Sequence, residues 1–222
     1  MSSQPDVHPA RRRPSAWAWL VTGSALLIAG AGLTLTLWWA FTNQSTVATY
    51  GVNGAVDAIT LDLATADAEI VGGGERSGIE VRRTDEFAFG RRAMAERRAG
   101  EGVLAIRSRC PPTVLGVCRA SYRLTVPDNL RITMRTTSGS VRFTGFRGSA
   151  EVDTGTGDVS VAGFCGFALR ARSLGGDVTA GAACAVERLE LRSRTGDVRA
   201  VVPPARYQID ADSDTARTPS AA

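Results

Sequence analysis

The sequence predicts an all-β fold, a β-solenoid of repeated strand–turn–strand units, behind one N-terminal transmembrane helix. Three observations predict it. The phrases TSGSV, TGDVSV, GGDVTA and TGDVRA recur with their glycines in phase at Gly139, Gly157, Gly176 and Gly196, in steps of 18, 19 and 20 residues. A fixed period with one turn per repeat marks a stacked architecture. The residues around each phrase alternate apolar and polar, the period of a half-buried strand. Ahead of the repeats, 25 residues from Trp17 to Phe41 carry no charge.

Taken in order, residues 1–15 are polar, end in Arg11, Arg12 and Arg13 before Pro14, and read as a disordered cytoplasmic tail. Residues 16–42 read as a signal anchor, because a helix rising about 1.5 Å per residue crosses a hydrocarbon core about 30 Å thick with this length. Trp17, Trp19, Trp38 and Trp39 sit where interfacial aromatic belts belong, and the arginines before the span predict the N-terminus inside and the rest of the chain outside. A cleaved signal peptide has a shorter apolar core ending in small residues, whereas this run ends in bulky aromatics. Residues 43–49 read as a polar linker. The repeat domain is expected over 50–216, and 217–222 read as a disordered end. Inside the domain, AITLDLATADAEIV is a weakened first copy in which Ile59, Leu61 and Leu63 lead into Ala66-Asp67. A loop is expected at 72–78. Residues 79–130 break the period, with strands expected at IEVRR, GVLAIRSR and ASYRLTVP around an ambiguous FAFGRRAMAERRAGEG.

Composition narrows the chemistry. Arginine is the only strong base in 222 residues, the formal charge is +4, and the single histidine is His8. That removes Ser-His and Cys-His catalysis, and any His-ligated metal, from everything beyond the anchor. So modest a charge gives no reason to expect nucleic acid, and no cofactor is expected. Four cysteines, all beyond residue 100, suit an oxidising compartment. Cys110 and Cys118 bracket a turn-rich loop of the size a local disulfide closes. Between Arg82 and Arg123 ten arginines face four acids, while 43–81 hold six acids and one arginine. Arg91, Arg92, Arg97 and Arg98 are therefore candidate anion-binding residues for an envelope polymer, a lipid headgroup or an acidic glycan. The plainer reading is a solvated face paired with the acids of 43–81.

The repeats can be read by column. Seven before each glycine stand Ile132, Ala150, Leu169 and Leu189; five before, Met134, Val152, Ala171 and Leu191; two after, the valines 141, 159, 178 and 198; four after, Phe143, Val161, Ala180 and Ala200. These columns must face inward. Thr136, Thr154, Ser173 and Ser193, three before, place small hydroxyls where they can bond backbone at a buried corner. The glycines themselves suit positive φ, and second turns are expected near Gly145, Gly163 and Gly181. A hairpin meander could also use Gly-Asp turns. The outward columns favour the solenoid instead: Thr133, Glu151, Arg170 and Glu190, and likewise Arg135, Asp153, Arg172, Arg192 and Asp210, mostly alternate in sign between successive repeats. Cys165 and Cys184 each fall eight after their glycine, so stacked coils would bring them within disulfide reach.

The VxTxxGDVxV units behind a signal anchor, at Val152–Val159 and Leu191–Val198, resemble the bacterial putative-adhesin family over about residues 50–215. Cys110-Pro111 looks like that family's Cys-Pro step before the repeats. Ser140, where Asp is usual, and Asp214-Thr215, where a last Gly-Asp pair is missing, depart from its pattern. The resemblance implies an exported β-repeat domain and supplies no active site. Asp158, Asp177 and Asp197 would form a carboxylate column that could attract calcium, or that accepts backbone N–H bonds within each turn. The expected function is non-enzymatic surface presentation or binding of an anionic envelope ligand. An envelope sensor or scaffold signalling to a membrane partner, and a β-helix polysaccharide enzyme, are the competing classes. Oligomeric state is not legible.

Overall fold

The computed structural model describes residues 16–73, 78–89, 91–112 and 117–205, with the side chains of 16–20, 22 and 39–43 left aside. The chain divides into two units that meet at Asn43. The tail and its arginine triad, and the segment holding Asp210, Asp214 and Thr215, lie outside the described residues.

The first unit contains helix α1 (Ala16–Thr42). Leu26, Leu27, Ile28, Leu33 and Leu35 all lie exposed on it. Its hydroxyls turn inward on the helix backbone: Thr34 Oγ1 donates to the Gly30 carbonyl at 3.0 Å and Thr36 Oγ1 to that of Gly32 at 3.0 Å. Counted over the described residues, no helix is long and apolar enough to cross a membrane. Within the uncharged run 17–41 the side chains described are those of residues 21 and 23–38.

In the second unit, β1 (Asn43–Asn53), β2 (Ala58–Leu63), β3 (Asp67–Gly72), β4 (Gly78–Ala88), β5 (Met94–Gly100), β6 (Val103–Arg109) and β7 (Cys118–Val126) precede the repeats. The repeats supply β8 (Arg131–Thr136), β9 (Val141–Thr144), β10 (Ser149–Thr154), β11 (Val159–Phe164), β12 (Ala168–Ser173), β13 (Val178–Ala182), β14 (Arg188–Ser193) and β15 (Val198–Val201). Two sheets result, ordered β1-β4-β7-β3-β9-β11-β13-β15 and β14-β12-β10-β8-β2-β6-β5. Each coil puts one strand in each sheet and buries its alternate residues between them.

The parallel register matches the sequence columns. Ile59 pairs with Ile132, Ile132 with Ala150, Ala150 with Leu169 and Leu169 with Leu189. Val141, Val159, Val178 and Val198 stack likewise. Phe143, Phe146 and Phe164 fill the middle of the core, each essentially inaccessible. The hydroxyl column closes each corner: Thr136, Thr154, Ser173 and Ser193 accept the N–H of Gly139, Gly157, Gly176 and Gly196 at 3.0, 3.1, 2.8 and 2.9 Å. The two serines also donate to the preceding coil, Ser173 to the Gly157 carbonyl and Ser193 to that of Gly176. Outside, the charge alternation becomes an ion-pair ladder in which Arg170 meets Glu151 at 3.6 Å and Glu190 at 2.8 Å.

Two expectations are corrected, and the stacking order of the coils is a further finding. Residues 43–49 are not a linker; they form the first part of β1, which runs antiparallel along the whole of β4. The coils do not stack in chain order either. β6 and β7 form a coil on the near side of β2 and β3, and the chain then passes to their far side to begin β8. Antiparallel β4 and β5 flank that added coil and, with β1, cap the stack. Finally, the turn glycines do not have positive φ, which among the described glycines occurs at Gly54, Gly73, Gly102, Gly145 and Gly163. A Cβ on Gly157 would strike the carbonyl oxygen of Gly139, one on Gly176 that of Gly157, and one on Gly196 that of Gly176. Glycine is needed there because main chain packs on main chain, coil upon coil.

Candidate functional site

The outward side chains of the eight-stranded sheet fall into rows. Thr49, Arg82, Arg123, Glu69, Arg142, Ser160, Thr179 and Arg199 are successive cross-strand partners from β1 to β15. At about 4.8 Å per strand this row runs about 34 Å. Two residues along each strand, Asp67, Ser140, Asp158, Asp177 and Asp197 make a second row. Between them lies an open groove of about 560 Å³, lined by Glu69, Arg123, Arg142, Ser160 and Thr179 on one row and by Asp67, Ser140, Asp158 and Asp177 on the other.

The electrostatics of this face are not arranged for stability alone. Arg82 stands directly opposite Arg123, and like charges in cross-strand register destabilise a sheet. Arg123 is relieved by Glu69, with Nη1 3.3 Å from Oε2. Among the described residues Arg82, Arg142 and Arg199 have no ion-pair partner. The carboxylate row is differently committed. Asp158 Oδ1 accepts the Asp177 N–H at 2.9 Å, Asp177 Oδ1 the Asp197 N–H at 2.9 Å, and Asp67 Oδ1 the Ser140 N–H at 2.9 Å. The expectation that each aspartate serves its own turn is thus corrected: each holds the turn of the next coil. Ser140 has no carboxylate, so the column is broken beside Arg142. Among the described residues no cluster of His, Cys, Asp or Glu could hold a metal ion.

The arginines singled out from composition are not gathered into one site. Arg91 and Arg92 lie between β4 and β5; Arg91 Nη1 donates to the Pro112 carbonyl at 3.1 Å, and the Arg92 guanidinium lies 4.8 Å from the centre of the Phe87 ring. Arg97 and Arg98 are on β5, every residue of which is exposed. Arg97 stacks 4.7 Å over Tyr50, and Arg98 reaches Glu96 at 3.9 Å. Behind them Arg83 is tied to Asp85 at 2.8 Å and to the Ala93 carbonyl at 2.6 Å, and lies over Tyr122. Burial raises the phenol pKa of Tyr122 and of Tyr50, with the nearby arginines pulling the other way. Ser108 is a polar neighbour of the Tyr122 hydroxyl, but hydrogen-bond geometry is not met, and that oxygen has no partner. Both cysteine pairs are disulfides: Cys110–Cys118 with Cα atoms 5.9 Å apart, and Cys165–Cys184, joining successive coils, with Cα atoms 5.1 Å apart.

The residues of this outward row were missed although part of their signal was available. Arg142, Ser160, Thr179 and Arg199 are a single column, three after each turn glycine. Arg82 and Arg123 join it only through the antiparallel β4–β7 register, which no periodicity reveals.

Residues 127–217 match the Toastrack DUF4097 family. A putative cell adhesion protein from Clostridium sporogenes shares the fold, with a TM-score of 0.50 at 9% identity over 72% of this chain and 100% of that one. A putative adhesin from Parabacteroides distasonis aligns over 72% of this chain and 82% of its own at 11% identity and a TM-score of 0.29. One from Parabacteroides merdae aligns over 70% and 96% at 11% identity and a TM-score of 0.27. No curated protein is significantly similar in sequence.

Proposed function

We propose that this chain, which carries a Toastrack DUF4097 domain at residues 127–217, is a membrane-tethered, adhesin-like surface protein that holds an acidic glycan across the groove of its eight-stranded sheet. The observation that carries the reading is that Arg123 and Arg142 line the groove beside a row of carboxylates, Arg142 without an ion-pair partner among the described residues. Guanidinium groups donate in a fork that matches carboxylate or phosphate. Asp158 and Asp177 each have one oxygen engaged by backbone, which leaves the other for ligand hydroxyls. An acidic polymer rich in hydroxyls is the ligand that satisfies both rows. Arg123 and Arg142 flank Glu69, two strand spacings or about 10 Å apart, so an extended chain can be gripped at more than one point.

Tethering is supported by the uncharged run 17–41, by the arginines at 11–13, and by Thr34 and Thr36 bonding their own helix backbone, as polar groups in lipid must. Binding rather than catalysis is supported by the commitment of Asp158 and Asp177 to the coil ladder and by the open form of the groove. The test is binding of acidic and neutral polysaccharides to the full chain in detergent. Binding should be confined to the acidic polymers, should weaken with salt as screening shortens to about 3 Å at 1 M, and should be lost in Arg123→Ser/Arg142→Ser. Equal binding of neutral polymers, or an unaffected double variant, overturns the ligand assignment. Protease added to wall-stripped cells should digest the β domain; full protection overturns the topology.

A further inference from the structure

We propose that the edge of the β domain beside Asn43 is a lipid-docking surface, on which Phe89, Met94 and Val117 enter the interfacial zone of the membrane while Arg91, Arg92 and Arg119 meet the phosphates of anionic lipids. This rests on the tethered reading above. Asn43 follows Thr42 of α1 directly. The β1–β4 register sets Asn43 opposite Ala88 and Gln44 opposite Phe87. β7 begins at the same place, with Cys118 opposite Phe87 and the Val117 carbonyl accepting the Ala88 N–H at 2.9 Å. The Cys110–Cys118 disulfide brings in the end of β6, and Met94 of β5 pairs with the neighbouring Arg109. The loop after β4, the start of β5 and the start of β7 therefore gather where the chain leaves α1.

Apolar and basic side chains stand together there. Phe89, Met94 and Val117 are 44%, 65% and 47% exposed. Phe89 holds a φ of 54°, a left-handed conformation uncommon for an aromatic residue. Arg91 and Arg92 are positioned by the Pro112 carbonyl and the Phe87 ring, with no acid among the described residues paired to either. Glu86, opposite Arg119, is the acid of the patch. Apolar side chains interleaved with arginines match the chemistry of an anionic lipid surface. A tether at the same point raises the local lipid concentration, so weak intrinsic affinity is enough.

Since the β core contains no residue of α1, residues 43–222 can be used alone for the test. They should float with vesicles of phosphatidylcholine and phosphatidylglycerol but not with phosphatidylcholine alone. Arg91→Ser/Arg92→Ser should weaken that binding about 30-fold, and Arg135→Ser/Arg147→Ser, away from the patch, should not. Phe89→Asn/Met94→Ser/Val117→Ser should abolish the part of the binding that survives high salt. Circular dichroism confirms that each variant is folded. Absence of flotation by the folded wild type, or equal flotation by the arginine variant, overturns the proposal. Alkaline extraction of the full chain tests the anchor separately; release into the supernatant with vesicle binding intact would remove the anchor and leave the patch.

Discussion

The repeat coils β8 to β15 and the cap built from β1 and β4 to β7 share two sheets and one core, yet they are held differently. In the coils every residue stacks on its own equivalent, so glycine meets glycine, serine bonds the turn before it and aspartate holds the turn after it. In the cap the partners are dissimilar. β4 runs against β7, arginine faces arginine, and aromatic rings carry guanidinium groups. The comparison teaches that the coils derive their order from repetition, one local solution applied several times. The cap derives its order from particular pairs.

The largest effect should come from breaking main-chain contact between coils. Gly157→Ala places a Cβ against the Gly139 carbonyl and should destabilise the β domain by about 3 kcal/mol. Gly163→Ala meets only left-handed strain at a φ of 65° and should cost about 1 kcal/mol. Urea unfolding of residues 43–222 measures both, and equal losses would refute the distinction between the two glycine classes. Next come the staples. Removing Cys165–Cys184, which closes 19 residues, should cost about 3 kcal/mol, and removing Cys110–Cys118, which closes 8, about 2.5 kcal/mol. Only the first should loosen hydrogen-exchange protection in β12 and β14; loosening of β6 instead would contradict coil-by-coil stapling.

Asp177→Ala should cost about 1.5 kcal/mol by freeing the Asp197 N–H. Asp177→Asn, which keeps an acceptor oxygen, should restore most of it, and calcium should leave the melting temperature of both unchanged. A calcium-dependent rise confined to the wild type would return the carboxylate column to metal binding. The smallest effect concerns Glu190, whose pKa is lowered chiefly by its hydrogen bond from Arg172, with Arg170 adding to it against some desolvation. A carboxylate lowered in the folded state contributes stability above its ordinary value and loses it as pH falls through the lowered one. Glu190→Gln should therefore cost less than about 1 kcal/mol at neutral pH and nothing in strong acid. A difference that persisted in acid strong enough to protonate Glu190 in the folded state would rule out the ion pair as its source.

Most of the coil architecture was legible because its signal is local and repeated. Ile132, Ala150 and Leu169 occupy one column in the sequence and one stack in space. The mechanism at the turns was not legible, because a glycine required for close approach and a glycine required for positive φ are the same letter. The cap was legible only as an interruption. Nothing in NQSTVATY announces a partner at 78–88, and the placing of β6 and β7 before β2 and β3 separates stacking order from chain order. The outward row beside the groove lay between these cases: its Arg142-to-Arg199 column could be counted, while Arg82 and Arg123 awaited a register that only folding supplies.

The added coil and its antiparallel flank close one end of the stack, and the consequence is one of growth. A new 19-residue unit inserted between Gly157 and Gly176 would find parallel neighbours on both sides and leave the cap undisturbed, whereas an insertion among β4 to β7 would have no equivalent to copy. Each such unit would carry the far edge about 4.8 Å further from the cap and lengthen the arginine and aspartate rows by one position. The domain is in this sense a ruler capped at one end, whose length can change by duplication while its cap stays the same.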